Sequence, residues 1–192
     1  MKFIPIEISA RHCHLCKADL KVLFGEGYEL TKDRDISQKG QYSCKETVNI
    51  KSEAAEIKNL RIVGPLRDAS QAEISKTDAY SLKIDPPIKE CTSCVGEEAE
   101  NIKIIGPKGE IEKKIAIIPH RHIHMDEEDA KNLGVKNGEM VSVKTSGDRA
   151  LVFKSVLVRV DPSFVLSMQI DTDEGNAAGI KTGETGELIK NE

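Results

Sequence analysis

The 192-residue chain has no tryptophan and only four phenylalanines and three tyrosines, which excludes a core built on aromatic stacking. Its interior must be filled by Ile, Val and Leu, and branched side chains suit strands better than helices. No apolar run approaches the roughly 18 residues that span a bilayer. Met1 leads almost at once into an expected strand, Phe3 to Ile8, with no apolar segment of the signal-peptide kind. A soluble cytoplasmic protein with no membrane partner is therefore expected. The 28 basic and 32 acidic residues are interspersed and leave a net charge of −4. Without a basic block to track a phosphate backbone, nucleic acid is not expected as a partner. Charged residues at 31% and hydrophobics at 39% are ordinary for a globular chain and argue against wholesale disorder.

Cysteine is present in an odd number, five, four of them in two pairs, Cys13-x-x-Cys16 and Cys91-x-x-Cys94, with Cys44 alone. In a reducing compartment such pairs point to metal or redox chemistry before disulfides. The competing reading is that they are small buried hydrophobes.

The most informative feature is an internal repeat. Arg11-His12-Cys13-His14-Leu15 returns as Arg121-His122-Ile123-His124-Met125, and each copy has an aspartate eight residues after its arginine, Asp19 and Asp129. Both copies continue into an apolar-periodic stretch, Ala18 to Phe24 and Ala130 to Leu133, which reads as a short helix after a strand. Two copies are too few for a solenoid and fit a duplicated domain, each half supplying one histidine segment to a shared site.

Further strands are expected at Thr47 to Ile50, Asn59 to Val63, Ile102 to Ile105, Ile115 to Ile118, Met140 to Lys144 and Val156 to Val160. Glycine-containing turns such as Gly64-Pro65, Asn137-Gly138 and Ser146-Gly147-Asp148 separate them. The fold class expected is mainly β, with two similar small β-barrel domains that carry short helices and arose by duplication. Asp85-Pro86-Pro87 and the polar stretch from Glu90 to Glu100 make the best linker. The boundary then falls between a first domain, 1–88, carrying RHCH and GPLR, and a second, 89–192, carrying RHIH, with strand exchange at either end allowed.

On a strand, His12 and His14 project from one face and Cys13 from the other, and His122 and His124 repeat the arrangement. Paired same-face imidazoles suit a borderline metal such as zinc, which takes neutral imidazole at about 2.0–2.1 Å. A single pair would read more simply as hydrogen-bonded histidines; duplication favours metal. Cys16 would share the histidine face if the strand continued that far. His120 would share the face of His122 on a regular strand and reads as structural. Arg11 and Arg121 should point away from the histidines. Arg67, in the turn Gly64-Pro65-Leu66-Arg67, could present a guanidinium fork to phosphate. Glu73 could complete a metal's ligand set. The segment Asp171 to Asn176 could hold a cation ligand, but an N-cap for the small residues that follow is the better reading.

These residues resemble the phosphate propanoyltransferases, and the marks are SARHCHL, GPLRDASQAEIS followed by KTDA, RHIHM and DTDEGNAAG, in order and nearly end to end. The resemblance implies two β-barrel domains meeting at a dinuclear zinc site. It also implies reversible transfer of a short acyl group, propanoyl or acetyl, from coenzyme A to inorganic phosphate to give an acyl phosphate. By matching positions, His12, His14 and Glu73 resemble the ligands of one metal and His122 and His124 those of the other. Arg67 resembles the catalytic phosphate holder, and Asn176 falls in a substrate-side segment.

One position departs from the pattern. The family's third ligand to the second metal is a histidine, and Gln169 stands here. A neutral amide is a poor zinc ligand beside imidazole, so one or two ions, Cys16 as a substitute ligand, and iron in place of zinc all stay open. So does a non-catalytic metal- or iron–sulfur-binding paralogue with a sensing or structural role. A homodimer is allowed. The first motif begins close to Met1, so no microcompartment-targeting extension is expected.

Overall fold

The computed structural model describes residues 2–90 and 98–190. In the first part, β1 (Phe3–Ser9), β2 (His12–His14), α1 (Lys17–Phe24), β3 (Lys32–Asp35), β4 (Tyr42–Lys51), β5 (Glu56–Gly64), β6 (Gln71–Glu73), α2 (Lys76–Leu82) and β7 (Ile88–Lys89) follow one another. Then come β8 (Glu100–Ile105), β9 (Glu110–Pro119), β10 (His122–Met125), α3 (Glu127–Leu133), β11 (Met140–Lys144), β12 (Val152–Val160), β13 (Ser167–Asp171), α4 (Thr172–Ala178) and β14 (Thr185–Ile189). The architecture is mainly β, as the branched-aliphatic composition implies. Each strand expected from the sequence lies inside one of these. Cys91 and Cys94, with the middle of the expected linker, lie outside the described residues.

The strands close into two six-membered barrels. One runs β1-β13-β10-β12-β11-β14 and back to β1. The other runs β4-β5-β2-β6-β9-β8 and back to β4, with β3 and β7 added beside β4 and β9. The ladders match strand for strand. In each barrel the histidine strand lies parallel to one neighbour, β12 or β5, and antiparallel to the other, β13 or β6. In each, that antiparallel partner lies parallel to a long strand, β1 or β9.

The compact units are Met1–Ala10 with His120–Glu192, and Arg11–Pro119. β1 precedes the first histidine strand but closes the barrel of the second, and β9 does the reverse. Each repeat thus lends its opening strand to the other repeat's barrel, so duplication and exchange go together.

Strand alternation fills both interiors. In the unit with β1, Ile4, Ile6, Ile123, Met125, Val141, Val143, Val156, Val158, Met168 and Ile170 form one buried cluster. In the other, Cys13, Leu15, Val48, Ile50, Leu60, Ile62, Ala72, Ile102, Ile104 and Ala116 do the same. A six-stranded barrel has little room. A Cβ on Gly186 of β14 would come within 2.4 Å of Val143 Cγ1, which is why that strand carries no side chain there. Burying about 0.8 kcal/mol per methylene across such clusters supplies the driving force. The same alternation turns His12, His14, His122 and His124 to the outer faces of their barrels.

The cysteines of the Arg11–Pro119 unit sort by this packing. Cys13 and Cys44 are fully buried in the aliphatic cluster and are free thiols. Burial, with Glu46 adding to it, pushes the Cys44 thiol up to about 11, and burial pushes Cys13 higher still. Both pack as small hydrophobes.

Candidate functional site

The first centre is assembled by three residues of β2 and β6. Antiparallel pairing sets His12 directly opposite Glu73, and His14 opposite Gln71. The strand period then aims His12, His14 and Glu73 the same way, with ligand atoms all within 4.8 Å of one another. His12 Nε2 lies 3.2 Å from His14 Nε2. Glu73 Oε2 is 3.5 Å from His12 Nε2, and its Oε1 is 3.6 Å from His14 Nε2. A tetrahedral ion with bonds of about 2.0–2.1 Å separates its ligand atoms by about 3.3 Å, so these residues fit a zinc-type ion.

Protonation supports the fit. His14 Nδ1 donates to the Val63 carbonyl at 2.9 Å, which leaves the lone pair on Nε2, the atom that faces Glu73. Burial, then the neighbouring His12, push the His14 imidazolium down to about 3, and the positive charge of Arg67 contributes. His14 is therefore a neutral imidazole at physiological pH, the form that can accept a metal ion. Gln71 Nε2 donates to Glu73 Oε1 at 2.8 Å, fixing the carboxylate by its neighbour two residues back.

Arg67 belongs to the same unit. Its backbone N–H donates to the Leu15 carbonyl at 3.0 Å, and it forms a bridge with Cys16. This staples the Gly64-Pro65-Leu66-Arg67 turn to the residues just after β2. Cys16 does not extend the strand: β2 ends at His14, and Cys16 is the N-cap of α1. Its thiol donates to Asp19, whose carboxylate also accepts from Ser70 at 2.6 Å and Lys113 at 2.5 Å. Cys16 is not among the residues that converge with His12, His14 and Glu73.

The second centre repeats the plan. His122 lies opposite Gln169 and His124 opposite Ser167. The two rings are 4.5 Å apart, and His124 packs on Phe164 at 4.1 Å. His122 Nδ1 donates to the His120 carbonyl at 2.8 Å, again leaving the lone pair on Nε2. His120 itself is not on the strand face, because β9 ends at Pro119 and β10 begins at His122; its backbone carbonyl orients His122 instead. Gln169 Nε2 donates to Glu7 Oε2 at 2.7 Å and to Ser167 Oγ at 2.9 Å.

The arginines of the two motifs face away from the histidines and do matching work. Arg11 bonds Asp78 at 2.7 Å and Arg121 bonds Glu174 at 3.0 Å. Each acid is the third residue of a helix, α2 or α4, in a capping box with Ser75 or Asp171. The acidic segment Asp171 to Asn176 thus caps a helix, and Asn176 is exposed on it. Sequence reasoning passed over Gln71, Ser167, Glu7 and α2. The signals were Ser75-x-x-Asp78, a capping-box pattern, and Glu7 standing alone between Ile6 and Ile8.

Over residues 5–181 the chain matches the family model described as phosphate propanoyltransferase. It is 48% identical to the phosphate propanoyltransferase of Priestia megaterium, covering 96% of this chain and 85% of that one. It is 47% identical to that of Thermotoga maritima, with 97% and 89% covered, and 44% identical to that of Clostridioides difficile, with 98% and 90% covered. At such identity over nearly the whole length, this acyltransferase enzyme belongs to the phosphate propanoyltransferase family.

Proposed function

We propose that the enzyme transfers a short acyl group, propanoyl or acetyl, reversibly between coenzyme A and inorganic phosphate, and that His12, His14 and Glu73 hold a zinc ion for the reaction. The observation that carries this reading is the convergence of two imidazole nitrogens and a carboxylate beside a guanidinium whose charge reaches His14. A divalent ion bound there supplies Lewis-acid polarisation of the thioester carbonyl.

The residues' own tasks follow from their chemistry. Arg67 binds and orients phosphate through its planar fork and offsets its charge. Held in line with the carbonyl, a phosphate oxygen attacks the carbonyl carbon, the carbon–sulfur bond breaks, and the thiolate of coenzyme A leaves and takes up a proton. No acyl-enzyme is needed, because phosphate is the nucleophile and alignment supplies much of the rate. Cys13 and Cys44, buried and held as thiols, are unsuited to attack. Gln71 and the Val63 carbonyl keep Glu73 and His14 in the orientation that ligation requires.

The test is phosphate-dependent release of coenzyme A from propanoyl- and acetyl-CoA, with zinc and iron measured per chain. Arg67→Ala should retain its metal and fall below about 1% of wild-type turnover, as loss of a charged positioning group does. Near-normal turnover would remove Arg67 from the mechanism. Metal without any turnover in the wild type would overturn the assigned reaction.

A further inference from the structure

Gln169 stands where the first centre has Glu73: each lies directly opposite the first histidine of its pair. Behind Glu73 in the sheet is Ile117, and behind Gln169 is Glu7. The second centre therefore also has a carboxylate, one strand further out, by about 4.8 Å. Glu7 is acceptor-only when ionised, so the amide must turn its NH2 towards it. Both hydrogens of that NH2 are used, one on Glu7 Oε2 and one on Ser167 Oγ. Among the described residues the amide oxygen of Gln169 takes no hydrogen bond, and a planar amide with its nitrogen fixed has its oxygen fixed as well.

We infer that Gln169 is the third ligand of an ion held by His122 and His124, through its amide oxygen, and that Glu7 is the positioning residue that makes the amide adequate. A carboxylate accepting from the amide N–H polarises the group and leaves more negative charge on the oxygen, as carboxylates do behind metal-bound histidines. Ser167 fixes the second hydrogen and prevents a flip that would turn NH2 towards the ion. Glu73 with Gln71 and Gln169 with Ser167 are then two solutions to one problem: a ligand oriented by the residue two positions earlier on its strand. The inference rests on the metal-dependent reading above but concerns ion binding alone.

The test is zinc titration of the full chain against a competing chelator, with cobalt(II) absorption reporting the ligand set. Wild type should bind two ions per chain. Gln169→Ala should keep the first and lose the second. Glu7→Gln should weaken the second ion by about 10- to 100-fold, the usual cost of removing such a partner, and leave the first unchanged. In a Gln169→Ala background, Glu7→Gln should add nothing, because it acts through the amide. Gln169→His should bind the second ion at least as tightly as wild type. An unchanged second ion in Glu7→Gln, a second ion retained in Gln169→Ala, or a single ion in wild type would each overturn the inference. Two ions without turnover would sink the reaction proposed above and leave this inference standing.

Discussion

The two histidine centres are built on the same ladders and differ in where the negative charge sits. In one, the carboxylate of Glu73 meets the imidazoles directly, held by Gln71, with the fully buried Ile117 behind it. In the other, the neutral Gln169 faces His122 and the carboxylate of Glu7 lies one strand away. Duplication fixed the backbone and left the chemistry of each position free to drift. The difference shows which features a six-stranded frame imposes and which a single side chain decides. Same-face histidines come from the frame, and so do the arginine links to the helix N-termini. The identity of the residue facing the first histidine does not.

The comparison breaks most sharply at Glu73. Glu73→Gln would give the first centre the amide of the second without its supporting carboxylate, because Ile117 offers no acceptor and Gln71 no charge. Zinc at that centre should weaken by at least about 100-fold, since an unsupported amide is a poor ligand beside two imidazoles. Turnover should fall with it. Chelator competition measures the first, and the coenzyme A release assay the second. Binding within about threefold of wild type would mean that the first centre has no need of a carboxylate and that its contrast with the second carries no chemical weight.

The next difference lies in the aspartates eight residues after each arginine. Asp19 is buried in the first turn of α1 and accepts from Ser70, Lys113 and Cys16; Asp129, at the same place in α3, is half-buried. Burial alone would raise the Asp19 carboxyl, but the bonds from Lys113 and Ser70 outweigh it and hold the carboxyl below its ordinary value. Its contribution is thus present at neutral pH and is lost as the pH falls below that ordinary value and through the lowered one. Asp19→Asn should destabilise by about 2 kcal/mol, tempered by the exposure of Lys113, and should flatten the acid side of the stability profile. Asp129→Asn should stay within about 0.5 kcal/mol. Urea unfolding at several pH values checks both, and equal effects would show that the repeat is energetically symmetric there.

Much of this was legible in the sequence for a physical reason. Period-two apolar runs specify strands locally, and a duplicated histidine pair carries its own control. The β-rich architecture and the convergence of His12, His14 and Glu73 therefore followed from pattern and resemblance. What stayed hidden depends on pairing between distant strands. Nothing local to Glu7 says that it will lie beside Gln169, because that neighbour is set by the parallel register of β1 and β13. Nor does a short run such as Ala10 to Leu15 say where its strand stops: β2 ends at His14, and Cys16 is the N-cap of α1.

Cys16 supplies the finest contrast. It is the N-cap of α1 but makes no side-chain bond to the helix backbone, whereas Asp126, the N-cap of α3, accepts from the Asp129 N–H at 2.8 Å. The thiol is a weak acceptor and is engaged with Asp19 as a donor. Cys16→Ser keeps a donor for Asp19 and adds an oxygen that can accept from the helix N–H groups, so it should stabilise by about 0.5–1 kcal/mol. Asp126→Ala should cost about 1 kcal/mol by the same physics. Thermal unfolding measures both changes, and metal analysis of the serine variant adds a sharper reading. If Cys16 serves the helix and Asp19, ion content stays at the wild-type value while the melting temperature rises. Loss of an ion would instead make the thiol a ligand, and the missing cap would then be the cost of a metal-binding role for Cys16.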